Sequence, residues 1–131
     1  MTVGILLICH NHIGEQLLET ATDMLEKVPM PAAELPVHQD DDPIDLLNRA
    51  RRRIAELDQG DGVLVLTDMY GSTPSNIAHR LKDQDRRVRV ISGVNLPMVV
   101  RAMNYPQLNL AQMAERAATG GREGIIEGDS I

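Results

Sequence analysis

Two runs of the chain, residues 3–9 and 63–67, are apolar almost throughout and do not alternate with polar residues. Each is too short for a helix of ordinary length, so each reads as a strand. A strand without alternation has no polar face, and both of its faces must be covered. That condition disfavours a sheet open to water on one side. It points to parallel strands sandwiched between two layers of helix.

The rest of the chain supplies those layers. Ile13, Leu17, Leu18, Ala21 and Leu25 form a helical stripe over residues 13–26, which Pro29 and Pro31 end. Residues 33–38 read as a weak strand that Pro36 confines to an edge. Asp42 followed by Pro43 starts a helix running to about Leu57 with Leu46, Leu47, Ala50 and Ile54 inward. After the 63–67 strand, Thr73-Pro74 opens a helix ending near Lys82. Residues 88–91 are a shorter strand, Asn95 caps a helix to about Met103, and a last helix over 108–119 is closed by Gly120-Gly121. Residues 124–127 read as a final short strand. Strands alternating with helices imply right-handed crossovers. The expectation is one α/β domain, 1–131: a three-layer, open, mainly parallel sheet with helices on both faces.

Composition narrows the function. The chain is 43% hydrophobic but has no Phe, no Trp and two Tyr, so the core is aliphatic and there are no platforms for stacking nucleic-acid bases. Thirteen basic residues against 19 acidic ones give a net charge of −6, which argues against binding a phosphate backbone. The arginines at 49 and 51–53 sit beside acidic neighbours and read as a solvated helix face. One cysteine, Cys9, excludes an internal disulfide and suits a reducing cytoplasm. The first apolar run lacks a basic flank and is far too short to span a bilayer, so neither targeting nor direct membrane insertion is expected.

Parallel α/β sheets bind ligands beyond the carboxyl ends of their strands, where strand order reverses. Two polar clusters fall there: His10-Asn11-His12, and the stretch from Asp68 to Asn76. With strand order 2-1-3-4, the first and third strands are neighbours, and His10 lies beside Asp68. Gly71 and Ser72 make a tight turn, Thr73 suits a cap, and Pro74 fits the first helical turn. The N–H groups of Thr73, Ser75 and Asn76 at the positive helix end then form a phosphate seat. In that reading Asp68 holds Nδ1–H of His10, and Nε2 is the nucleophile that accepts a phosphoryl group. No metal and no cofactor is called for. Blander readings stand beside this one. His10 also fits a solvated loop residue, Asp68 an Asx turn, and Thr73-Pro74 an ordinary helix start. His10 and His12 are spaced as metal ligands but lack a cysteine or fixed acidic partner. Cys9, Met98 and Met103 read as core or interface residues, and His38 and His79 have no evident role.

Five collinear blocks carry a family likeness. They are Gly4-Ile5-Leu6-Leu7-Ile8-Cys9-His10, Glu15-Gln16-Leu17-Leu18-Glu19-Thr20-Ala21, Thr67-Asp68-Met69-Tyr70-Gly71-Ser72-Thr73-Pro74-Ser75-Asn76, Ile91-Ser92-Gly93-Val94-Asn95-Leu96-Pro97-Met98 and Gly121-Arg122-Glu123-Gly124-Ile125. Together they make the chain resemble the IIA component of the mannose family of the phosphoenolpyruvate-dependent sugar phosphotransferase system. The resemblance implies a phosphocarrier whose His10 is phosphorylated by the phosphocarrier protein HPr and passes the group to a IIB component. Asp68 aligns with the family aspartate that orients the histidine, and Thr73 with the hydroxyl residue at the helix start. The resemblance also implies a homodimer whose C-terminal antiparallel edge strand crosses between subunits. No linker or IIB stretch follows in this sequence, so the acceptor is expected on a separate chain. Asn11 and Ser72 stand where the family usually has glycine. Two other readings remain. One is the phosphocarrier subunit of a dihydroxyacetone kinase. The other, from a different class, is a receiver-like signalling or metal-binding module. A receiver phosphorylated on Asp68 would need an acidic pair where His10-Asn11-His12 stands.

Overall fold

The computed structural model describes residues 2–85 and 87–130. Strands β1 (Gly4–His10), β2 (Ala32–Val37), β3 (Val63–Thr67) and β4 (Val88–Ser92) alternate with helices α1 (Ile13–Leu25), α2 (Pro43–Leu57), α3 (Thr73–Gln84) and α4 (Leu96–Met103). Helix α5 (Leu110–Glu123) and a 3-10 turn (Gly128–Ser130) follow. The strands form one sheet in the order β2-β1-β3-β4, and every pairing is parallel.

The unalternating runs have a simple physical origin. Along β1, Ile5, Leu7 and Cys9 enter a core shared with α1, α4 and α5. Leu6 and Ile8 enter a second core, against α2 and α3. Ile5, Leu6, Leu7 and Ile8 are wholly buried, and each side chain contributes at most about 1.5–3 kcal/mol of burial. Strand β2, which carries Pro36, lies at the sheet edge. Asp42 caps α2 by accepting from the Asp45 N–H at 3.3 Å, and Pro43 sits in its first turn.

Two expectations about helix ends need correction. The N-cap position of α3 is Ser72, so Thr73 is already its first helical residue. Ser72 makes no capping bond; its hydroxyl donates to the Met69 carbonyl at 2.6 Å instead.

The glycine pair does not close α5. Asn109 and Gln112 start that helix with a reciprocal capping box, and it continues through Gly120 and Gly121 to Glu123. Both glycines face α4. A Cβ on Gly120 would come within 2.6 Å of Arg101 Cβ, and one on Gly121 within 2.7 Å of Met98 Cε. A Cβ on Gly124 would meet Pro97 at 2.5 Å. Glycine is there for close helix approach, and its helix-breaking tendency is overridden by packing. Asn95 completes the joint: its Oδ1 accepts from Met98 N–H at 3.0 Å and its Nδ2 donates to the Gly121 carbonyl at 3.0 Å.

The expected C-terminal antiparallel edge strand, which would pair across subunits, is not shown in the single chain. Residues 124–127 leave α5 as irregular chain, with Ile125 78% and Ile126 60% exposed. An extended segment gains ladder hydrogen bonds only when a sheet edge is paired with it, and here the segment is unpaired among the described residues.

Candidate functional site

The strand order fixes the site. Because β1 and β3 are adjacent, the residues that follow them meet at the carboxyl edge of the sheet. His10 ends β1, and Asp68 follows β3 directly. One carboxylate oxygen, Asp68 Oδ2, accepts from the His10 backbone N–H at 2.9 Å and lies 2.8 Å from His10 Nδ1. The other, Oδ1, accepts from Met69 N–H at 3.1 Å. A carboxylate only accepts, so the pairing puts the ring proton on Nδ1 and leaves Nε2 with its lone pair. Nε2 has no partner among the described residues. The His10 side chain is 42% exposed and that of Asp68 only 12%. Burial by itself would raise the Asp68 carboxyl. The His10 backbone N–H, then the His10 ring, outweigh it and hold the group below the usual carboxylate range. Asp68 is therefore ionised across the neutral range.

The β3–α3 segment behaves partly as its sequence suggests. Gly71 takes a φ of +85°, a conformation that glycine adopts without strain, and so lets the turn form. Thr73 lines the same cleft as His10. Pro74 has no N–H, and the Asn76 N–H already donates to the Ser72 carbonyl at 2.9 Å. Asn76 is therefore not a free backbone donor, contrary to the sequence reading. Thr73 and Ser75 remain as first-turn N–H groups without an intrahelical acceptor. The Ser75 side chain is fully buried, and its hydroxyl has no hydrogen-bond partner among the described residues.

The cleft has a volume of about 540 Å³ and is lined by His10, Asn11, Thr73 and the β2–α2 segment, including His38 and Asp41. His38 has a partner after all: its Nδ1 lies 3.2 Å from Asn11 Oδ1. The signal was available in the strand order. Neighbouring β1 and β2 bring the residues after each strand together, and the Asn11 N–H donates to the Val37 carbonyl at 2.9 Å. His12 turns away toward Glu15, at 3.5 Å. His79 packs its ring against the exposed ring of Tyr70, 5.6 Å between centroids. Cys9 is a core residue, as expected; burial, reinforced by the Asp68 charge, pushes its thiol up to about 12, so it is inert at neutral pH. Arg49 pairs with Asp45 at 3.2 Å and Arg53 with Glu56 at 3.7 Å, which accounts for part of the arginine-rich face of α2.

A family model described as "PTS system fructose IIA component" (EIIA-man) matches residues 4–118. The chain belongs to the EIIA-man family. Over 136 residues it is 31% identical to the PTS system mannose-specific EIIAB component of Escherichia coli (strain K12), covering 95% of the chain and 39% of that protein. The chain thus spans about two-fifths of the length of this curated relative. It is also 34% identical over 113 residues to the transcriptional regulatory protein LevR of Bacillus subtilis (strain 168), covering 82% of the chain and 12% of LevR. Among solved structures, phosphotransferase system component EIIA from Streptococcus agalactiae superposes with a TM-score of 0.88 at 20% identity, covering 98% of this chain and 99% of the other. The mannose/sorbose specific IIA subunit from Enterococcus faecalis gives 0.85 at 24% identity, covering 97% and 95%. These two share the EIIA fold with the chain. Among the described residues no helix is long and apolar enough to cross a membrane.

Proposed function

We propose that the protein is a phosphocarrier of the sugar phosphotransferase system in which His10 Nε2 carries the phosphoryl group. The observation that bears most weight is the double engagement of Asp68 Oδ2 by His10, through ring and backbone. It fixes the tautomer and steadies the ring. The Nε2 lone pair attacks phosphorus on an incoming phosphohistidine of HPr as the donor P–N bond breaks, and the donor imidazole leaves with that electron pair. The His10 ring is left cationic with its proton still on Nδ1, where the Asp68 carboxylate neutralises it. The N–H groups of Thr73 and Ser75 at the α3 terminus, with the Gly71-Ser72 turn before them, are the seat for the phosphoryl oxygens. Because donor and product are both phosphoimidazoles, the transfer is near thermoneutral and reversible.

The onward acceptor in this reading is a IIB component, and the exchange takes place in the cytoplasm. Large apolar residues at the same end of the molecule, Met69 and Tyr70 after β3 and Ile44 in the first turn of α2, are exposed and suit docking of protein partners. A homodimer completes the proposal, with the exposed Ile125 and Ile126 pairing against a second copy. Incubation with phosphoenolpyruvate, enzyme I and HPr is expected to add one acid-labile phosphoryl group, absent in His10→Ala. Equal labelling of that variant would overturn the reading.

A further inference from the structure

The cleft beside His10 contains a second imidazole that this chemistry has not used. His38 is the first residue after β2, and its backbone N–H donates to Asp41 Oδ2 at 2.8 Å. Its ring Nδ1 donates to Asn11 Oδ1 at 3.2 Å, since an amide oxygen only accepts. With Nδ1–H committed, the ring has Nε2 left, an acceptor when neutral and a second donor when charged. That nitrogen has no partner among the described residues. Asn11 holds the ring from a left-handed conformation, φ +49°, which is uncommon for a residue other than glycine although asparagine tolerates it better than most.

The cleft also has an electrostatic requirement. A phosphoryl group brings close to two negative charges, and the chain already carries a net −6. No lysine or arginine is among the residues lining the cleft; its ionisable side chains are His10, His38 and Asp41. Asp41 is itself 3.8 Å from Arg49. His10 is committed to Asp68, so His38 is the group in the cleft that can supply a cation.

We propose that His38, oriented by Asn11, is a phosphoryl-binding residue of this site, donating from protonated Nε2 to an oxygen of the group carried on His10. The proposal rests on the phosphohistidine reading above. It makes phosphoryl retention pH-dependent: protonation of His38 favours the loaded state, and loading in turn raises the pH at which His38 titrates. The groups that bear on its charge are His12, with ring centroids 6.1 Å apart, Asp41 on its own segment, Glu34 from β2, and His10 across the cleft.

The test follows the imidazole resonances of the full chain by ¹⁵N NMR against pH, before and after phosphorylation by phospho-HPr. Loading is expected to move the His38 midpoint upward by about one pH unit, the size of a single charge-assisted hydrogen bond. In His38→Gln the equilibrium with phospho-HPr should shift roughly tenfold toward the donor below that midpoint and lose its pH dependence. Asn11→Gly should retain labelling of His10 but reduce the His38 shift. A His38 midpoint that does not move while His10 is loaded would overturn this inference alone. Failure of His10 to accept phosphate would overturn the underlying reading as well.

Discussion

The His10–Asp68 edge and the α4–α5 joint both fall in blocks that carry the family likeness, yet different physics holds them. At the edge, two polar side chains at strand ends are joined by short hydrogen bonds and one ring nitrogen is left free. At the joint, Gly120, Gly121 and Gly124 let α5 and its end approach α4 closely, and Asn95 ties the two helices together. The first arrangement keeps an unpaired ring nitrogen beside solvent. The second leaves no space beside the glycine Cα atoms. A block with no recognisable chemical motif can therefore be as constrained as one that carries the candidate site, because a side chain at these glycines would run into Arg101, Met98 or Pro97.

Substitutions should separate the two regions cleanly. The largest effect is expected at Asp68. Asp68→Asn keeps an acceptor oxygen but loses the charge that fixes the ring tautomer and, in the proposed carrier, neutralises the phosphorylated ring. The transfer rate from phospho-HPr should fall on the order of a hundredfold to ten-thousandfold, the range for a group that orients a catalytic imidazole. The same change bears on acid stability. Asp68 titrates lower in the folded chain than in the unfolded one, so its contribution is complete above the unfolded carboxylate value of about 3.9 and disappears as pH falls through the folded one. The stability gap between wild type and Asp68→Asn, followed by denaturant unfolding, should narrow below about pH 4. A constant gap down to the acid limit would remove the assigned linkage.

Gly121→Val tests the opposite region. Its side chain would be forced against Met98, and overpacking of this kind costs about 1–3 kcal/mol. The unfolding midpoint should drop while the folded fraction still takes phosphate on His10 at the wild-type rate. Asn95→Ala is milder, about 1–2 kcal/mol, since it removes one cap and one bond to the Gly121 carbonyl. If either variant slowed transfer as much as Asp68→Asn does, the joint and the edge would be one functional unit and the comparison would fail.

The two regions were unequally legible in the sequence. Strands β1 and β3 could be read from their unbroken apolar runs, and the order 2-1-3-4 then brought His10 to Asp68, because proximity at strand ends follows from topology alone. The N-cap of α3 falls one residue before the position the pattern suggests: Ser72 and Thr73 are both good capping types, and composition does not show that the Ser72 hydroxyl turns back to Met69. The sequence pattern offers the Asn76 N–H as free, but the first turn of the helix consumes it. Gly120-Gly121 read as a helix end because the local tendency of glycine is to stop helices, whereas its close approach to Arg101 and Met98 is a long-range fact. His38 shows no role in the sequence for a related reason. Its partner Asn11 is 27 residues away and adjacent only through the β1–β2 pairing. Residues 124–127 carry strand-forming isoleucines, but strand formation also requires an edge to pair with.

Ser75 lies where the two kinds of physics meet. It belongs to the polar edge by position, yet it is as buried as the joint, and its hydroxyl lacks a partner among the described residues. A buried hydroxyl without a partner costs about 1–3 kcal/mol relative to one that is satisfied. In the unphosphorylated chain Ser75→Ala should therefore leave stability unchanged or raise it by up to about 1 kcal/mol, since alanine fills most of the same space and is the better helix former. If the hydroxyl serves the phosphoryl seat, the sign reverses on loading. The phosphorylated variant should then unfold at lower denaturant than phosphorylated wild type. Thermal or urea unfolding of both proteins, loaded and unloaded, measures the two differences directly. Equal differences in the two states would assign Ser75 to packing alone and leave the backbone N–H groups of Thr73 and Ser75 as the seat.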